Sequence, residues 1–269
     1  MNSKTFTTVA IDLDGTLFTP QRDYDRPRFA RMLDACEERD IRVVIASGRQ
    51  YLSMRTMFDE PLRLAFVGDN GSVVVDRGGE LVHAAVLPDE IVRDVVALID
   101  GHPEIRSVAS GPQGGWMTGD VPDRMRVLMN SAYENLKSVD SLHEIDGPVS
   151  KFALVTREGQ ADRIAEELSE QLGGALVPVT TGHQGMDLIV PGRHKAFGLS
   201  LLLERWGDRG FDTLLAFGDS ANDAEMLAAA GLSYAMADAQ PAAVENARFR
   251  APTGEESGVM AVVEELLGL

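Results

Sequence analysis

The chain has 269 residues, a formal net charge of −17 at pH 7 and 44% hydrophobic residues. This length allows a full hydrophobic core and a second domain. The negative charge argues against nucleic acid and anionic membrane surfaces as partners, and no apolar run is long enough to predict a membrane span.

The first predicted element is a buried strand. It is an apolar, β-branched run that stops at Gly15 and carries Asp12 and Asp14 at its carboxyl end. Residues two apart in a strand face the same side, and two carboxylates there repel each other unless a cation or a proton lies between them. The pattern suits a Mg²⁺ site in which one carboxylate acts as a nucleophile, although Asp and Gly are also ordinary turn residues.

A second apolar, β-branched run at residues 41–46 predicts another buried strand, which ends in Ser47-Gly48-Arg49. A serine hydroxyl and the backbone N–H groups after a glycine form an anion cradle when a helix begins there. The plainer alternative is that Ser47 caps a helix in an ordinary loop.

Residues 83–187 contain their own alternating strand-like and helix-like segments. This pattern predicts an α/β domain inserted into a core made of residues 1–82 and 188–269. Two Gly-containing polar loops in the insert, Gly114-Gly115-Trp116 and Thr181-Gly182-His183-Gln184, are candidates for substrate contact, although turn chemistry explains them better. The predicted helices lie at 88–100, 123–136 and 160–172, and the predicted strands at 106–110, 150–156 and 175–180.

The sequence after Pro191 predicts a helix that runs to about Trp206. Lys195 falls in its first turn, where the helix dipole disfavours a cation. The chain has four lysines against twenty-one arginines, so a lysine at this position favours a role against phosphate. An exposed surface lysine is the alternative.

The strand predicted at residues 212–217 is followed by Asp219, Asn222 and Asp223. One of the three could be a helix N-cap, but three polar residues exceed what a cap requires. A carboxylate here could complete a Mg²⁺ shell that begins with Asp12.

These segments resemble, in order and spacing, the four motifs of the haloacid dehalogenase superfamily of aspartate-dependent phosphatases. The matching stretches are D-L-D-G-T-L, I-A-S-G-R, H-K-A and G-D-S-A-N-D-A-E-M-L. The chain is similar to the bacterial sugar phosphatases of the Cof-like branch, with Ala196 where many members have glycine. The resemblance implies an α/β fold with a doubly wound, mostly parallel, Rossmann-like core and an inserted α/β cap that sets substrate specificity.

The resemblance also implies roles for individual residues. Asp12 would be the nucleophile, and Asp14 would protonate the leaving oxygen and then deprotonate water. Asp12, the Asp14 carbonyl and Asp219 would hold Mg²⁺. Asp223 would orient Lys195 or the waters on the metal, and Asn70 resembles a position at the rim of the site. The phosphate contacts would be Ser47, Gly48, Lys195 and Asn222.

We therefore expect a Mg²⁺-dependent phosphatase that acts on small sugar phosphates. A phosphotransferase or phosphomutase on the same scaffold stays open, because it differs only in passing the phosphoryl group to a second hydroxyl. A phospho-aspartate receiver is about half this length and lacks the D-x-D pair, and no G-x-G-x-x-G follows the first strand to indicate a dinucleotide site. An inactive scaffold is opposed by the intact Asp12, Asp14, Lys195 and Asp219.

The sequence predicts a cytoplasmic protein. Its start runs into the first strand without the apolar core of a signal peptide. The single Cys36 cannot form an internal disulfide, which fits a reducing compartment, and it lies on the apolar stripe of a helix with Phe29, Met32 and Leu33. The sequence does not indicate the oligomeric state.

Overall fold

The computed structural model describes residues 6–119, 121–157, 159–180 and 185–269. The described strands are β1 (Thr8–Ile11), β2 (Arg42–Ala46), β3 (Ala65–Gly68), β4 (Val73–Val75), β5 (Leu81–Ala84), β6 (Arg106–Gly111), β7 (Gly114–Thr118), β8 (Leu136–Val139), β9 (Lys151–Val155), β10 (Val177–Thr180), β11 (Gly185–Ile189), β12 (Leu214–Gly218), β13 (Leu232–Met236) and β14 (Phe249–Ala251). The described helices are α1 (Arg26–Glu37), α2 (Tyr51–Thr56), α3 (Asp89–Asp100), α4 (Asp123–Ala132), α5 (Ala161–Leu172), α6 (Lys195–Arg205), α7 (Ala224–Ala229), α8 (Pro241–Asn246) and α9 (Gly258–Leu267).

The chain divides into two compact units. The first comprises residues 1–48, 60–82 and 194–269, and the second comprises residues 49–59 and 83–193. Among the described residues, none of the helices combines the length and the apolar character that crossing a bilayer requires.

The larger sheet has eight strands in the order β14-β13-β12-β1-β2-β3-β4-β5. The six strands from β14 to β3 run parallel to their neighbours, and β4 pairs antiparallel with β3. From β1 the chain proceeds outward through β2 and β3, and it later returns to add β12, β13 and β14 on the other side. The strand order therefore reverses between β1 and β12, which is where open α/β sheets bind ligands at the carboxyl ends of the strands.

Helices cover both faces of this sheet, as a doubly wound fold requires. On one face, α6 and α7 pack against small and branched side chains of the central strands, among them Ala10, Val44 and Ala216. Helices α1 and α9 pack together, and α1 contacts β2. Phe29, Met32, Leu33 and Cys36 are all buried on α1, as the apolar stripe predicts.

The second unit contains a six-stranded sheet in the order β10-β11-β9-β6-β7-β8, in which only the β7–β8 pair is parallel among the described pairings. Helices α3 and α5 bury Val96, Ile164 and Leu168 in one core with Phe152 and Leu188 of the sheet.

The predicted fold class is confirmed, because the chain has a doubly wound, mostly parallel sheet and a separate inserted α/β unit. The helix predicted at 123–136 is too long, since α4 ends at Ala132 and Leu136 already begins β8. The structural reason is that Tyr133 is extended and Asn135 is left-handed, and neither conformation continues a helix.

Candidate active site

A tight turn after β1 sets the positions of the two carboxylates of D-x-D. The Leu17 amide donates to the Asp12 carbonyl at 3.2 Å, and the Phe18 amide donates to the Leu13 carbonyl at 2.8 Å. Gly15 supplies the left-handed conformation at φ +85° that closes the turn. Both aspartates lie beyond the end of β1, and Asp12 is buried whereas Asp14 is exposed. The expectation that strand geometry puts the two carboxylates on one side is therefore wrong, because the strand has already ended in a turn.

Lys195 joins the third and fourth motifs to Asp12. It is the first residue of α6 and is fully buried, and its ammonium Nζ donates to Asp12 Oδ1 and to Asp223 Oδ1, each at 2.6 Å. Burial alone would lower the pKa of Lys195, but the attraction of Asp12 and Asp223 outweighs burial and raises it. Lys195 is therefore a buried cation beside Asp12, and the surface alternative is wrong.

Asp223 organises the loop that follows β12. Its Oδ2 accepts hydrogen bonds from the Asp219 and Ser220 amides, each at 3.1 Å, while its Oδ1 accepts from Lys195. Ser220 and Asp223 cap each other at the start of the short 3-10 turn Ala221–Asp223. Both oxygens of Asp223 are thus engaged in holding the loop and Lys195, as expected for an orienting residue.

Asp219 lies in the same cluster and accepts from the Thr16 hydroxyl at its Oδ1, at 3.2 Å. Burial, reinforced by Asp223, raises the pKa of Asp219 to about 6. Burial also raises the pKa of Asp12 well above its ordinary value; Lys195 opposes this rise, and Asp223 and Asp219 add to it. The cluster is therefore short of positive charge.

The donor set fits a divalent cation. Asp12, Asp219 and Asp223 each offer a carboxylate oxygen, and these oxygens lie within 4.8 Å of one another. Three carboxylates face one ammonium, and buried carboxylates in excess attract a cation or a proton. Hard oxygen ligands are those that Mg²⁺ prefers. Both oxygens of Asp223 accept hydrogen bonds from Lys195 and the loop amides. Asp12 and Asp219 instead lie close enough to share a hydrogen bond with each other, and two adjacent carboxylates favour a shared cation, so Asp12 and Asp219 are the better candidate ligands.

The phosphate-contact candidates lie at the ends of neighbouring strands. Ser47 follows β2 and is buried, and its amide donates to the Val67 carbonyl at 2.9 Å. Asn70 lies after β3, and its Oδ1 accepts from Asn222 Nδ2 at 3.1 Å. A Cβ on Gly48 would lie 3.1 Å from Asn70 Oδ1, so the asparagine amide lies directly against that glycine. The second, third and fourth motifs are thus connected through these side chains and Lys195.

The two substrate-contact candidates of the second unit fare differently. Gly114, Gly115 and Trp116 are not a loop but part of strand β7, so this prediction of local structure is wrong. Trp116 is buried in the core and donates from its indole Nε1 to Asp146 Oδ1 at 2.9 Å. The candidates at 181–184 lie outside the described residues.

Sequence reasoning did not assign two residues that complete the site. Thr16 bonds Asp219, and Ser220 Oγ donates to Asn222 Oδ1 at 2.8 Å. Each follows a site aspartate within two residues in the sequence. A hydroxyl residue this close to a carboxylate at a strand end is therefore the sequence pattern that indicates such a contact.

Comparison with known proteins decides the family. A family model described as haloacid dehalogenase-like hydrolase matches residues 9–263, which is nearly the whole chain. The chain belongs to this family. The resemblance inferred from the four motifs is confirmed.

Relatives of this haloacid dehalogenase-like protein include phosphatases. The chain is 34% identical over 260 residues to the 5-amino-6-(5-phospho-D-ribitylamino)uracil phosphatase YbjI of Escherichia coli K12, covering 96% of this chain and 95% of the relative. It is 26% identical over 234 residues to the HMP-PP phosphatase of Escherichia coli O157:H7, covering 86% of this chain and 84% of that protein. The chain is thus similar to phosphatases along nearly its whole length.

Solved structures agree on the fold. The crystal structure of SMU.1108c from Streptococcus mutans UA159 superposes with a TM-score of 0.91 at 31% identity, covering 98% of this chain and 100% of that one. The match extends over both units of the chain, so the core and the inserted unit both occur in this solved relative.

Proposed function

We propose that the chain is a Mg²⁺-dependent phosphatase that hydrolyses a small phosphorylated metabolite of the sugar phosphate class, through an aspartyl phosphate on Asp12. The observation that carries this proposal is the buried cluster in which Lys195 bridges Asp12 and Asp223, with Asp219 beside them. Burying a charged group costs several kcal/mol for each ion, so three carboxylates and an ammonium in one cluster do not serve the stability of the fold best. Their arrangement at the strand-order reversal supports catalysis rather than stability.

The proposed reaction has two steps. A carboxylate oxygen of Asp12 attacks phosphorus as the bond to the leaving oxygen breaks, and the exposed Asp14 gives that oxygen a proton. Water then attacks the phosphorus of the aspartyl phosphate, Asp14 takes its proton, and inorganic phosphate and free Asp12 are released. Mg²⁺, when bound, would offset the charge that otherwise keeps a phosphoryl dianion from a carboxylate.

The phosphate would be held by the groups at the strand ends. Lys195 supplies a point charge, and Ser47, Gly48 and Asn222 supply a hydroxyl, a backbone amide and a side-chain amide. Asp12, the Asp14 carbonyl and Asp219 would hold Mg²⁺, and Asp223 keeps Lys195 in position. The organic part of the substrate would be recognised by the cap that the sequence predicts at residues 83–187.

The relatives guide the substrate class. The 34% identical relative is named for a substrate whose phosphate lies on a ribityl chain. A phosphorylated polyol or sugar is therefore the first class to test, and a panel of such phosphates with Mg²⁺ is the direct assay. Release of inorganic phosphate without a second hydroxyl acceptor supports a hydrolase, whereas release only with an acceptor would favour a phosphotransferase or phosphomutase.

Gly15→Ala is expected to weaken Mg²⁺ binding. A Cβ at Gly15 would collide with Asp219 Oδ2, so the proposed ligand must move. The Mg²⁺ concentration for half-maximal activity should rise by about tenfold or more, and EDTA should abolish the wild-type activity. Gly207→Ala is the matched control, because Gly207 has a similar positive φ of +67° but no atoms within 4 Å of its Cβ position. Equal Mg²⁺ requirements in both variants would remove Asp219 from the metal site.

Asp14→Asn is expected to separate the two chemical steps. p-Nitrophenol leaves with little protonation, so transfer of its phosphoryl group to Asp12 should persist, while hydrolysis slows because the water has lost its base. With p-nitrophenyl phosphate, rapid quench should show a burst of p-nitrophenol followed by a slow steady state. With a sugar phosphate, the free sugar should be released without a burst. Equal loss of the first step with both substrates would contradict the acid–base role.

A further inference from the structure

The turn after β3 holds a rarely populated backbone conformation directly beside the site. Asp69, Asn70 and Gly71 have φ values of 49°, 53° and 95°, so three successive residues are left-handed. Only glycine adopts this region without strain, and asparagine tolerates it better than most residues. Such strain persists where the surrounding structure enforces it, which is common at functional sites.

The surroundings fix this turn from two sides. The Asn70 amide donates to the Ser47 carbonyl at 3.1 Å, which attaches the turn to the end of β2. Gly71 packs so closely on the His194 carbonyl that a Cβ would collide with it, which places the turn against the start of α6. The Asn70 side chain is 3% exposed. The turn is therefore held between the segments that carry Ser47 and Lys195.

The Asn70 side chain sets the orientation of another amide. Its Oδ1 accepts from Asn222 Nδ2, and Ser220 Oγ donates to Asn222 Oδ1. A side-chain amide whose oxygen accepts one hydrogen bond and whose nitrogen donates another cannot exchange the two ends by rotation without losing both bonds. One N–H of Asn222 Nδ2 is used by Asn70, which leaves the second N–H with a fixed direction.

We propose that Asn70 is a positioning residue: it orients the Asn222 amide so that the second N–H donates to a substrate phosphoryl oxygen. The proposal rests on the phosphate-contact role of Asn222 in the proposed function. A donor aimed in advance loses no orientation entropy on binding, which is why such groups bind anions more tightly than mobile ones. Asn70 acts through Asn222 and not on the substrate.

The test is a double-mutant cycle on phosphate affinity. Asn70→Gly removes the acceptor while glycine suits the left-handed backbone, so the fold should be kept. Asn222→Ala removes the donor, and the double variant removes both. Asp40→Gly is the control, because Asp40 is also left-handed at φ 50° but is exposed on the surface. The readouts are the inhibition constant of inorganic phosphate against p-nitrophenyl phosphate hydrolysis with Mg²⁺, kcat, KM and Tm.

We expect Asn70→Gly to raise the inhibition constant by about tenfold, and Asn222→Ala to raise it at least as much. The Tm of Asn70→Gly should stay close to that of the wild type, because relief of the left-handed backbone strain offsets the lost hydrogen bond. The double variant should match Asn222→Ala alone, because the two residues act as one unit. Asp40→Gly should behave as wild type.

Two results overturn the proposal alone: wild-type phosphate affinity in Asn70→Gly when Asn222→Ala is impaired, or losses that multiply in the double variant. An unchanged inhibition constant in Asn222→Ala would instead refute the phosphate-contact role of Asn222 in the proposed function, and the positioning role with it.

Discussion

Asp12→Asn is expected to lower kcat by at least about a thousandfold while the protein stays folded. Asparagine is nearly isosteric but cannot form an acyl phosphate. Burial raises the pKa of Asp12, which means that its surroundings penalise the charged form, so a neutral side chain should fit without loss of stability. Lys195 keeps Asp223 as a partner in the variant. Steady-state kinetics and thermal unfolding measure the two effects separately.

Asp208→Asn is a suitable control for this variant. Asp208 lies near the opposite end of β1, where its carboxylate accepts from the Thr8 hydroxyl at 3.2 Å and pairs with Arg42. The control should keep wild-type kcat, whatever its effect on stability. An Asp12→Asn protein with more than about a tenth of wild-type kcat would rule out Asp12 as the nucleophile.

Lys195→Met is expected to cost both activity and stability. The side chain is fully buried, and its ammonium contacts two buried carboxylates. Without the ammonium, Asp12 and Asp223 face each other unpaired, and breaking a buried ion pair in this way costs about 3–5 kcal/mol. The phosphate site also loses its fixed positive charge, so kcat/KM should fall by about a hundredfold or more. Denaturant unfolding and kinetics measure these effects.

The double variant Lys195→Met/Asp223→Asn separates the two losses. Replacing Asp223 removes one of the unpaired carboxylates, so part of the stability should return while activity stays low. Recovery of activity together with stability would show that Lys195 serves the fold alone, and wild-type activity in the single variant would exclude it from the site.

The sequence predicted the main strands of the core because each is a β-branched, apolar run that ends in a polar turn. It also located Asp12, Lys195 and Asp219, since carboxylates and a rare lysine at strand and helix ends are conspicuous against apolar segments. The family resemblance then supplied the order of the motifs and the expected insert.

Long-range contacts could not be predicted in the same way. Asn70 bonds Asn222 across 152 residues, and nothing local to either residue specifies that pair. The sequence does not predict strand β8, because Lys137 and Ser138 are exposed and lack an apolar pattern, as is common at a sheet edge. The glycine pair before Trp116 predicts a loop because glycine pairs usually mark turns, whereas in the structure Gly114 and Gly115 allow close packing within β7.

The central claim is that the phosphoryl group passes through Asp12, and chemical trapping tests it most directly. The Asp14→Asn protein would be mixed with p-nitrophenyl phosphate and Mg²⁺, quenched during the burst and treated with borohydride, which reduces an acyl phosphate to an alcohol. Peptide mass spectrometry should then find the reduced side chain at Asp12, and not at Asp219 or Asp223. An unmodified Asp12 in a sample that has released a stoichiometric burst of p-nitrophenol would contradict the account.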